Sequence, residues 1–235
     1  NASTKILRRK TLSNIESAPC IKIEVTANIQ LCTAHWYGGN REQSCENTVK
    51  SVKKLLGGIQ IDGYYELNMS EIPKLNNMVD GVTVTLEDDF SKKYPKMKKG
   101  ATINLDDEQA YAYVHDRYGV GNEENTSRMK RQQQYMTGFF KKLQEKVKAN
   151  PNYANEVFES LQDVSTTDIT IGKISNISNI FASGTDKGIF ELAGKSKIGQ
   201  ALGDEIDHME FYVNKKAMVS TMSELFGIVE QKNKE

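Results

Sequence analysis

Apolar residues recur along this chain in two rhythms, a period near 3.6 that marks helices and an alternation that marks strands. The helical rhythm runs over residues 44–56, where Val49, Val52, Leu55 and Leu56 share one face before Gly57 and Gly58 end it. It returns behind Ser70, with Ile72, Leu75 and Met78 facing inward. Asp106, Asp107 and Glu108 suit a helix start and lead a third stretch, 104–117. A long pattern then extends from the capping residues Asn125, Thr126 and Ser127 to Asn150, where Pro151 stops it. Further helices are expected over 153–161, over 169–181 behind a cap at Thr166, Thr167 and Asp168, and over 215–226. Strands are expected within 5–15, 21–26, 59–69, 81–86 and 209–213. Residues 35–39 read as a turn, and 184–203, rich in Gly, Ser and Lys, as a loop with a short strand. This alternation predicts an α/β fold: one layered α-β-α domain over 1–235, with a central mixed β-sheet flanked by helices.

The stretch 111–140 adds chemistry to the pattern. His115 and Arg117 lie before a Gly-containing loop, and Arg128, Arg131 and Gln132 lie after it. Arg128, Arg131, Gln132 and Tyr135 fall at i, i+3, i+4 and i+7, one face of a helix. Met129, Met136, Phe140, Leu143 and Val147 form a separate apolar stripe. Two guanidiniums one turn apart at a helix N-terminus suit a phosphate or pyrophosphate, because each fork can bind two oxygens and the backbone dipole favours an anion. A solvated charged face satisfies the same spacing. Arginine in the first turns nevertheless runs against the dipole preference, and such a local conflict points to function. Arg8 to Thr11 form a second small basic cluster, which an exposed strand end would also explain.

Composition narrows the choices. Hydrophobic content of 38% and charged content of 26% describe an ordinary globular protein. Lys+Arg and Asp+Glu stand equal at 31 each, which argues against nucleic acid as a partner and makes any anion site local. Cys20, Cys32 and Cys45 leave open one disulfide plus a thiol or three thiols, and their spacing matches no zinc pattern. No phosphate loop, nucleophile elbow or HExxH is present. Paired acids such as Asp88–Asp89 and Glu123–Glu124 read as surface or cap residues.

Several of these segments resemble the LytR–CpsA–Psr family of cell-wall assembly proteins. They are IDGYYELN at 61–68, LNNMVDGVTVTL at 75–86, AYAYVHDRYG at 110–119 and SRMKRQQ at 127–133. VSTTDITIGKISNI and EFYVNKKAMVSTMSELFG are similar more loosely. The resemblance implies an α/β fold with an apolar groove for a polyprenyl chain, and arginines that bind its pyrophosphate. It implies a magnesium-dependent phosphotransferase that attaches a glycopolymer, teichoic acid or capsule, to peptidoglycan outside the bacterial membrane. The family is usually anchored to the membrane by an N-terminal helix, and its metal-binding aspartates would lie upstream of Asn1 or are lacking in this member, so no metal ligand is assigned here. Arg117 matches the second arginine of the family's R-x-R; Arg128, Arg131 and Gln132 match its R-x-x-R-Q; Arg9 matches the arginine of its R-D-T-like element. His115 stands where that R-x-R has its first arginine, and Lys10 where the R-D-T acid would be. The resemblance therefore makes Arg9, Arg117 and Arg128 catalytic and adds His115, Arg131 and Gln132 as pyrophosphate ligands. The alternative it leaves is a non-catalytic polyprenyl-phosphate binder or regulatory envelope protein.

Overall fold

Short side chains that accept hydrogen bonds set several helix starts. In a computed structural model that describes residues 6–8, 23–25, 31–200 and 206–226, β1 (Ile6–Arg8), β2 (Ile23–Val25) and a 3-10 helix, Leu31–Tyr37, come first. They are followed by α1 (Arg41–Leu55), β3 (Tyr65–Leu67), α2 (Ile72–Met78), β4 (Thr83–Thr85), β5 (Thr102–Asn104) and α3 (Asp107–His115). The remaining elements are α4 (Asn125–Ala149), α5 (Tyr153–Ser160), β6 (Ser165–Thr167), α6 (Ile171–Ser183), β7 (Gly194–Gly199), β8 (His208–Val213) and α7 (Lys215–Phe226). Asn40 caps α1, Asp106 closes a capping box with Gln109 on α3, and Thr170 caps α6. Thr166 and Thr167, expected to cap that helix, belong to β6 instead, so α6 begins at the next available hydroxyl. The 35–39 turn is partly absorbed into the 3-10 helix.

The α/β class is as expected. The strands pair, among the described residues, as four two-stranded antiparallel ladders: β1 with β2, β3 with β6, β4 with β5, and β7 with β8. The shortness of the ladders has a local cause. Within 59–69 only Tyr65–Leu67 pairs, beyond the Asp62-Gly63 step, two residue types that strands disfavour.

The chain divides into two compact units, Asn1–Tyr64 with Phe190–Glu235, and Tyr65–Ile189. The core of the second joins Val82, Val84 and Leu86 to Phe90, Met97, Leu105, Tyr113, Tyr135 and Phe139. Gly138 lets α4 lie on β4: a Cβ there would come within 2.6 Å of Val82. Asn76, 1% exposed, satisfies this core's polar groups. Its Nδ2 donates to the Leu105 carbonyl at 3.0 Å, and its Oδ1 accepts from Val82 N and the Tyr135 hydroxyl, each at 3.2 Å.

In the first unit the β7–β8 hairpin turns its polar side inward. Glu210 is buried and accepts from the Tyr212 hydroxyl, while Ile198, Met209 and Phe211 are exposed on the opposite face. No helix among the described residues is long and apolar enough to cross a membrane.

Candidate functional site

The loop between α3 and α4, residues 116–124, collects the charged residues singled out in the sequence. Its two ends are set by helix chemistry. The last carbonyls of α3 have no partner within that helix and must find donors elsewhere. They find them on α4. Arg131 Nε donates to the Tyr113 carbonyl at 2.9 Å, Arg131 Nη2 donates to the Asp116 carbonyl, and Gln132 Nε2 donates to the Val114 carbonyl at 2.9 Å. Arg131 is 2% exposed, its Nη1 is paired with the Asp88 carboxylate, and its guanidinium lies over the Phe90 ring at 5.2 Å. The arginine expected on an anion-binding face is thus placed in the interior, with all three nitrogens hydrogen-bonded. Gln132 likewise caps α3.

Arg117 and Arg128 have a different setting. Arg117 is half-buried; its Nε donates to the Glu123 carbonyl at 2.8 Å and its guanidinium stacks 5.1 Å from the exposed Tyr118 ring. Arg128 Nη2 donates to Asn125 Oδ1 at 2.6 Å, and its Nε is shielded from solvent without a partner. Both arginines therefore lean on the same short loop, Arg117 through residue 123 and Arg128 at the first turn of α4. His115 ends α3, stacks on Tyr111 at 4.7 Å and meets Asp116 Oδ1 at 3.1 Å through Nδ1. The other Asp116 oxygen lies 3.4 Å from Lys93, whose ammonium it holds above its ordinary pKa. Burial pushes the Tyr113 phenol up, and its hydroxyl donates to Gln134. Arg9 lies outside the described residues, as do Lys10 and Cys20.

The structure thus places His115 at the end of α3, Arg117 in the loop and Arg128 in the first turn of α4, each with its own partner, and sets Arg131 and Gln132 against the α3 end. Sequence reasoning missed Asp88 and Gly121. Asp88 follows the buried strand end at Leu86, a weak signal that says nothing of a partner 43 positions away. The apolar stripe on α4 also divides: Val147 is buried and Leu143 packs on the core, whereas Met129, Met136 and Phe140 are exposed.

Magnesium does not fit the described residues of this unit by themselves. Asp88 and Asp116 are engaged in ion pairs, and no three carboxylate, histidine or cysteine side chains from within the unit converge on one point.

A family model described as the LytR_cpsA_psr family matches residues 7–226. The Lin1025 protein from Listeria innocua has a similar solved structure, with a TM-score of 0.61 at 20% identity over 85% of this chain and 79% of that one. TagV from B. subtilis matches with a TM-score of 0.59 at 19% identity, over 94% of this chain and 80% of its own. A structure of TagT bound to LI-WTA matches with a TM-score of 0.59 at 19% identity, over 83% and 69%. At these identities the likeness shows the fold. Comparison with curated protein sequences returns no match.

Proposed function

The chain belongs to the LytR_cpsA_psr family, and on that premise we propose that it is a phosphotransferase that attaches polyprenyl-pyrophosphate-linked glycopolymers to peptidoglycan in the bacterial envelope. The observation that carries this reading is Arg117 in the 116–124 loop and Arg128 in the first turn of α4 that follows it, with a solvent-shielded Nε on Arg128 that has no partner. A guanidinium fork at the first turn of a long helix, Arg128, with a second in the loop before it, Arg117, suits the oxygens of a diphosphate. The likeness to TagT bound to LI-WTA supports a wall glycopolymer as the class of substrate. The exposed Met129, Met136 and Phe140 share one face of α4 and offer the polyprenyl chain a strip of roughly 16 Å, at the helical rise per residue.

In the transfer, an acceptor hydroxyl oxygen bonds the phosphorus next to the glycan. The bridging P–O bond breaks, polyprenyl phosphate leaves, and the hydroxyl proton passes to solvent. Arg117 and Arg128 offset the charge on the leaving phosphate, and His115, when protonated, adds to it; positioning and neutralisation dominate such reactions. Arg9, outside the described residues, belongs to the proposal as a pyrophosphate ligand on the family motif alone. Magnesium, an upstream membrane anchor and a site of action outside the membrane belong to the proposal as the family's implications.

The test supplies the chain with polyprenyl-pyrophosphate-linked glycan, peptidoglycan and magnesium, and follows glycan on the peptidoglycan. Unchanged lipid-linked substrate contradicts the enzyme. The engaged carboxylates favour a second reading, a polyprenyl-phosphate binder without turnover. That reading predicts lipid protection against thermal unfolding and no product.

A further inference from the structure

We propose that Asp88 is a positioning residue for the arginine site: through Arg131 it fixes the loop that presents Arg117. The inference rests on the phosphate-binding reading above and deepens it.

The loop is held at two points, one on each side of Arg117. On the near side the Asp116 carbonyl accepts from Arg131 Nη2. On the far side Gly121, at φ +55°, passes so close to the Asp88 carboxylate that a Cβ would collide with it. Asp88 itself accepts from Arg131 Nη1. Both limbs of the loop therefore rest on one ion pair. The pair is rigid for physical reasons. Arg131 is 2% exposed, its Nε is committed to the Tyr113 carbonyl, and its guanidinium lies against Phe90. Asp88 is the one carboxylate with which this guanidinium forms an ion pair among the described residues. Between the two anchors, Arg117 reaches across the loop to the Glu123 carbonyl, one residue before the N-cap of α4. The placement of Arg117 is thus set through Arg131 by a residue that, among the described residues, hydrogen-bonds to neither Arg117 nor Arg128.

Removing the Asp88 charge leaves a buried guanidinium without its counter-ion and a loop without its floor. Outer partners that orient a binding group matter by about tenfold or more in affinity, as the outer shells of metal sites illustrate.

The experiment titrates inorganic pyrophosphate into the full chain by calorimetry, at a temperature where circular dichroism shows each variant folded. Asp88→Asn is expected to bind about tenfold more weakly than the unaltered chain, and Asp88→Glu, which restores the charge, to recover most of the affinity. Tyr153→Phe serves as the control for lost stability alone. It removes a hydrogen bond to the Met78 carbonyl in the same unit, away from the loop, and is expected to lower Tm without moving affinity. Unaltered affinity in folded Asp88→Asn overturns the inference and leaves the phosphate-binding reading standing. Should Asp88→Asn not fold, Gly121→Ala presses on the same carboxylate from the loop, and unaltered affinity there overturns the inference equally. No pyrophosphate binding by the unaltered chain overturns both.

Discussion

The two sides of the first turns of α4 carry the same residue type in opposite settings. On the inward side Arg131 is sealed from solvent and bonded to Asp88 and to two carbonyls of the α3 end. On the outward side Arg128 is only half-buried, donates one bond within its own turn, and keeps a shielded Nε without a partner. Three positions along a helix leave two side chains about 60° apart on one face and roughly 4.5 Å apart along the axis, so the axial step onto the end of α3, rather than a change of face, gives Arg131 its different neighbours. The difference teaches that an arginine motif mixes two settings: one guanidinium is engaged by the scaffold, and the other keeps a nitrogen without a partner.

The comparison breaks most visibly at Arg131. Arg131→Ala strands a carboxylate and two carbonyls, and urea denaturation is expected to show a loss of about 3–5 kcal/mol. A loss below about 1 kcal/mol, the range of exposed pairs, would erase the distinction between the two sides. Alkaline pH probes the inward side next. Burial is the first cause that raises the pKa values of Tyr113 and Tyr135 above 10.0. Their contribution is therefore complete below pH 10.0 and declines as pH rises past it, because the unfolded chain ionises first. The stability of the Tyr65–Ile189 unit should fall over that window, and Tyr135→Phe should flatten the fall. Gln132→Ala removes one hydrogen bond to the α3 end, and its cost is expected near 1 kcal/mol in the same denaturation measurement. The smallest effect belongs to a pair with no inward role. Lys146 holds the fully exposed Asp80 carboxylate below its ordinary pKa through a hydrogen bond. That support would be present above pH 3.8 and fade as pH falls through the lowered value, yet solvent screens it. Asp80→Asn should leave Tm unchanged, and Asn suits the left-handed backbone there, at φ 56°.

Much of the local structure is legible in the sequence. The acidic start of α3, the long α4 pattern ending before Pro151, and the α1 helix up to Gly57-Gly58 follow from periodicity, charge and breakers, whereas Asn125, Thr126 and Ser127, expected as caps, lie inside α4, whose N-cap is Glu124 without a side-chain cap bond. Starts were less legible where several capping residues stand in a row, as at Thr166, Thr167, Asp168 and Thr170, because tertiary pairing of β3 with β6 takes the first of them. The face of Arg128, Arg131, Gln132 and Tyr135 shows the deeper limit. Periodicity says which residues share a face, and it cannot say that the middle of this one points at the end of α3. Asp88 illustrates the same point from the other side: it looked like half of a surface acid pair, and its meaning depends on a residue 43 positions on. The expected stripe from Met129 to Val147 is real in register, but only contacts along the chain's own core decide that it is buried at one end and open at the other.

The most direct measurement is calorimetric titration of inorganic pyrophosphate into the Arg117→Ala/Arg128→Ala double variant beside the unaltered chain, with urea denaturation of both. Two lost charge-assisted contacts predict at least a roughly hundredfold weaker affinity with little change in stability. Equal affinity in a folded double variant would show that the anion, if it binds, binds elsewhere, and would contradict the account.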